Sequence, residues 1–220
     1  MKIGEIYRLA VEKGIEKDPR SKEAVLALLE KEKKLYAELK EDEKKEYDQD
    51  KLFNPYSDTR ILYGDPEREV TRVLAGIDME TAEVLLADRL SAQGKIDLII
   101  AHHPEGKAVA ALYQVMKLQE DVLAKFGVPI NVAEGIMASR MSEVKRGLMP
   151  LNHNRAVDAA RLLDIPLMCI HTPADNHVSD YLQRLFDEKK PETLEDVLKL
   201  LKSIPEYAEA VKYNAGPTIV

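Results

Sequence analysis

Four of the five histidines in this sequence stand in two short segments, and each segment follows an apolar run. His102 and His103 follow the run DLIIA, and His171 follows the run PLMCI, with Asp175 and His177 four and six residues later. Continuous apolar runs of this length are typical of parallel strands that are buried on both faces. In an open parallel sheet, ligands bind beyond the carboxyl ends of the strands. The two segments therefore predict one site at that edge of a sheet.

The residue types in these segments indicate a metal site. Imidazoles with a carboxylate and without thiolates suit a borderline divalent ion, namely Zn, Mn, Fe, Co or Ni. Neighbouring side chains of a strand point to opposite faces, so His102 and His103 share a site only if the backbone turns, which Pro104 permits. The alternative is that each histidine only caps a strand end or lies on the surface.

The elements that position these residues alternate between strands and helices from about residue 70 onward. Such alternation predicts an α/β fold with a mostly parallel sheet flanked by helices. Pro173 is expected to keep a helix from starting directly after His171, which would leave Asp175 on a loop. Residues 50–66 carry turn signals and are expected to be loop. Strands are predicted at 72–78, 97–101, 128–133 and 166–170, and helices at 81–92, 107–126, 139–147, 154–163, 178–188 and 193–202.

The first part of the chain differs in composition from the rest. Just over half of residues 1–50 are charged, and apolar residues recur there at helical spacing. We predict two domains: residues 1–66 as a charged helical extension with a linker, and residues 67–220 as an α/β metal-binding domain. The mixed charges favour a solvated helical hairpin that packs on the main domain or on another subunit.

Composition excludes several classes of protein. The single cysteine, Cys169, rules out an intrachain disulfide and a cysteine-only metal site. A net charge of −7 argues against nucleic acid as a partner. No apolar run approaches the roughly 20 residues of a membrane span, and the first residues lack the pattern of a signal peptide. A cytoplasmic protein without membrane contact is expected.

Three segments resemble the Nif-three-like family, whose members are also named GTP cyclohydrolase type 2 homologues. DLIIAHHP resembles the family's di-histidine motif, and GIDMETAEVLLADRL resembles the strand, turn and helix that precede it. CIHTPADNHVSDYL resembles the second motif, in which an aspartate follows a histidine by four residues. The resemblance covers about residues 70–190, with the motifs in the family's order.

The resemblance implies an α/β fold, assembly into rings, and a two-metal centre. It assigns His102 and His103 as metal ligands and Asp175 as a bridging carboxylate, with His171 close to the metals. The family takes further ligands, a His and a Glu, from a C-terminal half that has no counterpart among these motifs. Three interpretations stay open: the sequence is part of a longer chain, its site is reduced, or another subunit completes the site.

Two further acids have competing interpretations. Asp78 follows the first predicted strand, where it could cap the next helix or hydrogen-bond a ligand histidine, and the capping role is favoured. Glu134 follows the predicted strand at 128–133, which would place it at the same sheet edge as the histidines. There it would serve as a metal ligand or general base, and we count Glu134 and His171 as the candidate catalytic residues.

These observations predict a divalent-metal-binding protein that acts as a metal-dependent hydrolase. The resemblance implies a nucleotide or related small molecule as the substrate. The alternative is a non-catalytic metal-binding scaffold or interaction module. Under either interpretation the resemblance predicts a homo-oligomer, as a ring or a dimer. No glycine-rich phosphate-binding motif is present to support a nucleotide-binding domain of another type.

Overall fold

The computed structural model describes residues 1–92 and 94–218. Its strands are β1 (Arg60–Tyr63), β2 (Val73–Gly76), β3 (Leu98–Ala101) and β4 (Leu167–Cys169). Its helices are α1 (Ile3–Glu16), α2 (Lys22–Glu38), α3 (Glu41–Glu46), α4 (Thr81–Ser91), α5 (Gly106–Ala110), α6 (Leu112–Val115), α7 (Lys117–Lys125), α8 (Ile130–Leu148), α9 (Arg155–Leu162), α10 (Thr172–Lys189), α11 (Leu194–Lys202) and α12 (Pro205–Val211). A 3₁₀ helix (Gln49–Leu52) precedes β1.

The four strands form one sheet in the order β1-β4-β3-β2. The central strand β3 pairs in parallel with β2 and with β4. At one edge, β1 is antiparallel to β4, with Arg60 opposite Cys169 and Ile61 opposite Met168. The predicted α/β fold with a mostly parallel sheet flanked by helices is therefore confirmed.

Side chains of the two central strands alternate between two buried layers, as the period of a strand requires. Leu98 and Met168 face the first layer, whereas Ile99 and Leu167 face the second. The first layer holds the buried side chains of α1 and α2, which are Ile3, Tyr7, Val11, Ile15, Val25 and Leu29. The second holds those of α4 and α9, which are Val84, Ala87, Ala156, Val157 and Ala160. Because both faces are covered, β3 and β4 are apolar throughout.

The chain divides into two compact units, residues 1–177 and residues 178–220. Helix α1 shares the first unit with the sheet and supplies one of the layers that cover it. The predicted extension over residues 1–66 thus contributes core side chains as well as charged surface. Its separation from residues 67–220 as a domain stays a prediction.

Several predicted elements differ from the structure. The predicted strand at 128–133 is wrong, because α8 begins at Ile130 and runs for 19 residues. A short apolar run fits a strand or a buried helix equally well, so periodicity could not distinguish them. Residues 60–63, predicted as loop, form β1, which is too short to show alternation among the turn residues around it. The predicted helix at 107–126 is divided into α5, α6 and α7.

The second unit consists of the later part of α10 together with α11 and α12. Helix α11 begins with a capping box, in which the Thr193 hydroxyl accepts from the Asp196 N–H and the Asp196 carboxylate accepts from the Thr193 N–H. Within residues 1–92 and 94–218, no helix combines the length and the apolar character that crossing a membrane requires.

Candidate metal centre

The two histidine segments lie side by side at the carboxyl ends of β3 and β4. Beyond β3, the backbone N–H of His102 donates to Gly76 O at 2.9 Å and that of His103 donates to Ile77 O at 2.9 Å. The backbone bends at both histidines, just beyond β3, and these two hydrogen bonds fix it against the end of β2. Beyond β4, Ile170 N–H donates to Ala101 O at 2.9 Å, which places His171 beside them.

The rings of His102, His103 and His171 converge on one point. Their centroids are 5.2 Å apart for His102 and His103, 4.8 Å for His102 and His171, and 5.9 Å for His103 and His171. One nitrogen from each ring lies within 4.8 Å of the corresponding nitrogens of the other two. In the described part of the chain these three side chains form a group with the spacing that one metal ion requires.

In each of the three rings the Nδ1 atom contacts an oxygen atom. Nδ1 of His102 lies 3.3 Å from Ile170 O, and Nδ1 of His103 lies 2.6 Å from Oδ1 of Asp78. Nδ1 of His171 lies 2.9 Å from Oδ2 of Asp58. A carbonyl or carboxylate oxygen only accepts, so these contacts assign the proton to Nδ1. In the neutral ring Nε2 then keeps its lone pair. Each histidine is therefore in the tautomer that binds a metal through Nε2.

Asp175 adds a carboxylate to the group. Its Oδ1 lies 3.5 Å from Nε2 of His102, and its Oδ2 lies 3.7 Å from Nε2 of His171. The expectation of a loop here is wrong, because α10 begins at Thr172 and includes Pro173. Proline is tolerated in the first turn of a helix, where the N–H has no intrahelical partner. The helical spacing of His171 and Asp175 brings the two side chains together.

The structure reveals a buried acid, Asp58, that the sequence interpretation did not include. The pairing of Arg60 with Cys169 across β1 and β4 places Asp58 opposite His171 beyond the ends of both strands. Its side chain is fully buried, and it binds His171 Nδ1 and the Thr172 hydroxyl. The hydrogen bond that His171 donates to Asp58 raises the pKa of His171 above its usual value, while burial of the ring opposes the shift. No sequence signal pointed to Asp58, since its partner is more than one hundred residues away along the chain.

Asp78 contacts a histidine, the role that the sequence interpretation had placed second. Its Oδ1 lies 2.6 Å from Nδ1 of His103, and Glu80 rather than Asp78 stands at the N-cap of α4. Together with Asp58 and Asp175, Asp78 places a third carboxylate beside the histidine rings. Negative charge around the three histidines favours a cation between them.

Glu134 lies outside the contacts that define this site. It is an exposed residue of α8 and lines a different cleft, together with Glu120 and Lys117. The inference that placed it at the sheet edge was wrong, because it depended on the strand predicted at 128–133. Its role as a general base stays a prediction without a supporting contact.

Comparison with known proteins gives one informative match. No family model matches the sequence, and no curated protein does. A solved structure, the crystal structure of a NIF3 superfamily protein from Sphaerobacter thermophilus, is similar with a TM-score of 0.58 and 26% sequence identity. The similarity covers 70% of this chain and 56% of that chain. This chain therefore spans somewhat more than half the length of the protein that it resembles.

Proposed function

We propose that this chain, which has the Nif-three-like fold, holds one divalent transition-metal ion on Nε2 of His102, His103 and His171. The observation that carries the proposal is that one nitrogen of each ring lies within 4.8 Å of those of the other two, while the Nδ1 contacts leave each Nε2 available as a ligand. Three imidazoles and a neighbouring carboxylate, without a thiolate, fit Zn, Mn, Fe, Co or Ni. The assignment of His102 and His103 as ligands follows the family resemblance, and His171 joins them on geometry.

Asp175 has two roles that its position permits. Its oxygens lie 3.5 Å and 3.7 Å from two of the proposed ligand nitrogens, so a small movement would make it the fourth ligand. Its side chain is 52% exposed, so it could instead accept a proton from water beside the ion. We propose the ligand role, because a carboxylate lowers the net charge of three neutral imidazoles and a dication.

We extend the proposal to metal-dependent hydrolysis of a nucleotide or a related small molecule. When bound, such an ion supplies Lewis-acid chemistry and an acidic water. Two of the proposed ligands are about half exposed, His103 at 49% and Asp175 at 52%. A substrate can therefore reach the position that they surround. With the three histidines and Asp175 as ligands, a water or substrate atom would bind as the fifth ligand, a coordination number that catalytic zinc can reach.

The proposed activity can be tested on the whole chain. Protein loaded with Zn, Mn, Fe, Co or Ni in turn is incubated with a panel of nucleoside triphosphates and cyclic nucleotides, and products are separated by chromatography. We expect turnover with at least one metal and none with the metal-free protein or the His102→Ala variant. Turnover that is equal with and without metal would contradict the proposal.

A non-catalytic metal-binding scaffold is the second candidate, and one observation favours it. The chain covers only 56% of the NIF3 superfamily protein, so groups that complete a catalytic centre could lie in the remainder of such a protein. Stoichiometric metal binding without turnover on the whole panel would support the scaffold. Assembly as a ring or a dimer stays a prediction, which light scattering of the metal-free and metal-loaded protein would check.

A further inference from the structure

A fully buried carboxylate stands behind the proposed metal ligands. The Asp58 side chain has no exposed surface, although a carboxylate loses much solvation when it is buried. In the part of the chain that the structure describes, its ion-pair partner is His171 rather than a lysine or arginine. The neighbouring Arg60 is directed elsewhere, to Asp48 and to backbone carbonyls. The charge of Asp58 is therefore directed at the histidine ring.

We propose that Asp58 is a positioning residue of the metal site, which fixes the orientation and the Nδ1–H tautomer of His171. This inference rests on the metal site proposed above. By accepting the hydrogen bond from Nδ1–H, Asp58 leaves the lone pair of Nε2 directed at the point shared with His102 and His103. Partners of this kind also make a ligand imidazole more basic, and their loss typically weakens metal binding about 10- to 100-fold.

Three neighbours hold Asp58 in place: Thr59, which is next to it in the chain, Cys169 of β4, and Thr172 at the start of α10. The Thr172 hydroxyl donates to Oδ2 at 2.6 Å, and the Thr59 hydroxyl lies 3.4 Å from Oδ1. The Thr59 hydroxyl also accepts from the backbone N–H of His171 at 3.1 Å. The Cys169 thiol donates to the backbone carbonyl of Asp58 at 3.3 Å. Because three residues hold Asp58, its carboxylate keeps its position against the ring when one of these contacts is lost.

The partners of the other two rings fix the ring orientation less firmly. Nδ1 of His102 meets a carbonyl oxygen at the longer distance of 3.3 Å. Nδ1 of His103 meets Asp78, whose side chain is 69% exposed and is therefore screened by water. A hydrogen bond to a buried charge is electrostatically stronger than one exposed to solvent. The structure thus assigns the largest positioning effect to Asp58.

The test compares the wild type with Asp58→Ala, Asp58→Asn and a control, Thr172→Val. The control removes the 2.6 Å hydrogen bond that Thr172 donates to Oδ2 of Asp58. It leaves the contact of that oxygen with His171 Nδ1. Zinc affinity is measured by competition with a chromogenic chelator. The tautomer of His171 is measured on the metal-free protein by nitrogen-15 NMR of the imidazoles, at alkaline pH where the ring is neutral.

We expect Asp58→Ala to weaken zinc binding about 10- to 100-fold and to populate the Nε2–H tautomer of His171. Asp58→Asn keeps an acceptor oxygen, so it should lose several-fold in affinity and retain more of the Nδ1–H tautomer than the alanine variant. Thr172→Val should keep the wild-type tautomer and bind zinc within about threefold of wild type, although it destabilises the fold. If Asp58→Ala does not fold, the comparison of Asp58→Asn with Thr172→Val decides.

Two results would overturn the inference while the metal site stands. One is equal zinc affinity for the wild type and the Asp58 variants. The other is a Thr172→Val variant that loses as much affinity as the Asp58 variants, because that would show a structural role alone. A wild-type protein that binds none of the five metals would instead contradict the proposed function, and the positioning role would fail with it.

Discussion

Gly14 of α1 lies against Pro173 in the first turn of α10, so closely that a Cβ atom at position 14 would be 2.7 Å from the Cα atom of Pro173. The two helices therefore meet backbone against backbone at this point. The Asn176 side chain adds a hydrogen bond, donating to Gly14 O at 3.0 Å. Because α10 also carries Asp175, the N-terminal helix forms part of the frame of the proposed metal site.

Gly14→Ala should destabilise the protein, because the new methyl group must displace the start of α10. Overpacking of this kind costs about 1–3 kcal/mol. Gly135→Ala is the matched control, since a Cβ at that helical position meets nothing within 4 Å. It should raise the free energy of unfolding by about 0.5–1 kcal/mol, the usual gain when alanine replaces glycine in a helix. Urea unfolding of both variants checks the prediction, and shifts in the same direction would contradict it.

Ile3→Ala should cost about 2–5 kcal/mol of stability, because the side chain is fully buried in the layer that covers the sheet. Leu9→Ala in the same helix should change the free energy of unfolding by about 0.5 kcal/mol or less, since Leu9 is 44% exposed. Thermal or urea unfolding measures both. Equal, small effects would mean that α1 is a detachable extension, as the predicted boundary at residue 66 suggested.

Replacing a proposed ligand should weaken metal binding, and the size of the effect should depend on which donor atom is removed. His171→Ala should lose most of the bound metal, because it removes a nitrogen donor from the group of three. Asp175→Asn should weaken binding about tenfold, which corresponds to about 1.4 kcal/mol, since the amide keeps an oxygen donor but loses the negative charge. Chelator competition gives both affinities. Full metal retention by His171→Ala would show that the ring is not a ligand.

Asp97 should stabilise the protein at neutral pH and lose that effect in acid. Its Oδ2 accepts hydrogen bonds from the Thr71 hydroxyl, the Thr71 N–H and the Arg72 N–H, which lower the pKa of the carboxyl. A carboxyl group whose pKa is lower in the folded than in the unfolded state stabilises the protein at pH values above its unfolded pKa of about 3.9. This stabilisation disappears as the pH falls through the folded-state pKa.

Asp97→Asn should therefore lose about 1 kcal/mol at pH 7, a figure that allows for solvent screening. The difference from wild type should shrink below about pH 4. Asp42→Asn, at a carboxylate that is 95% exposed, should stay within about 0.5 kcal/mol of wild type throughout. Urea unfolding across the pH range gives these differences, and a constant deficit for Asp97→Asn would contradict the assignment.

The convergence of the histidines could be predicted because it follows from two local patterns and one general rule. DLIIA and PLMCI indicate buried parallel strands, and the carboxyl ends of such strands meet at one edge of the sheet. His102, His103 and His171 follow those strands directly, so their approach needed no knowledge of distant contacts. The close position of Asp175 was expected as well, although a helix and not a loop provides it.

The partners of the rings could not be predicted, because they depend on pairing between distant segments. Asp58 meets His171 only through the register of β1 against β4, and β1 is a four-residue strand among turn residues. For a related reason, the sequence left open whether α1 packs on the main domain or on another subunit. Its apolar stripe predicts an amphipathic helix, but the sequence does not indicate which surface that stripe covers.

The most direct test of the metal site is the metal content of the purified chain. Metal-free protein is saturated with zinc, freed of excess ion, and measured by native mass spectrometry beside the double variant His102→Ala/His103→Ala. The geometry of one group of three histidines predicts one tightly held ion per wild-type chain and none in the double variant. A wild-type chain without zinc, or a double variant that still holds one ion, would contradict it.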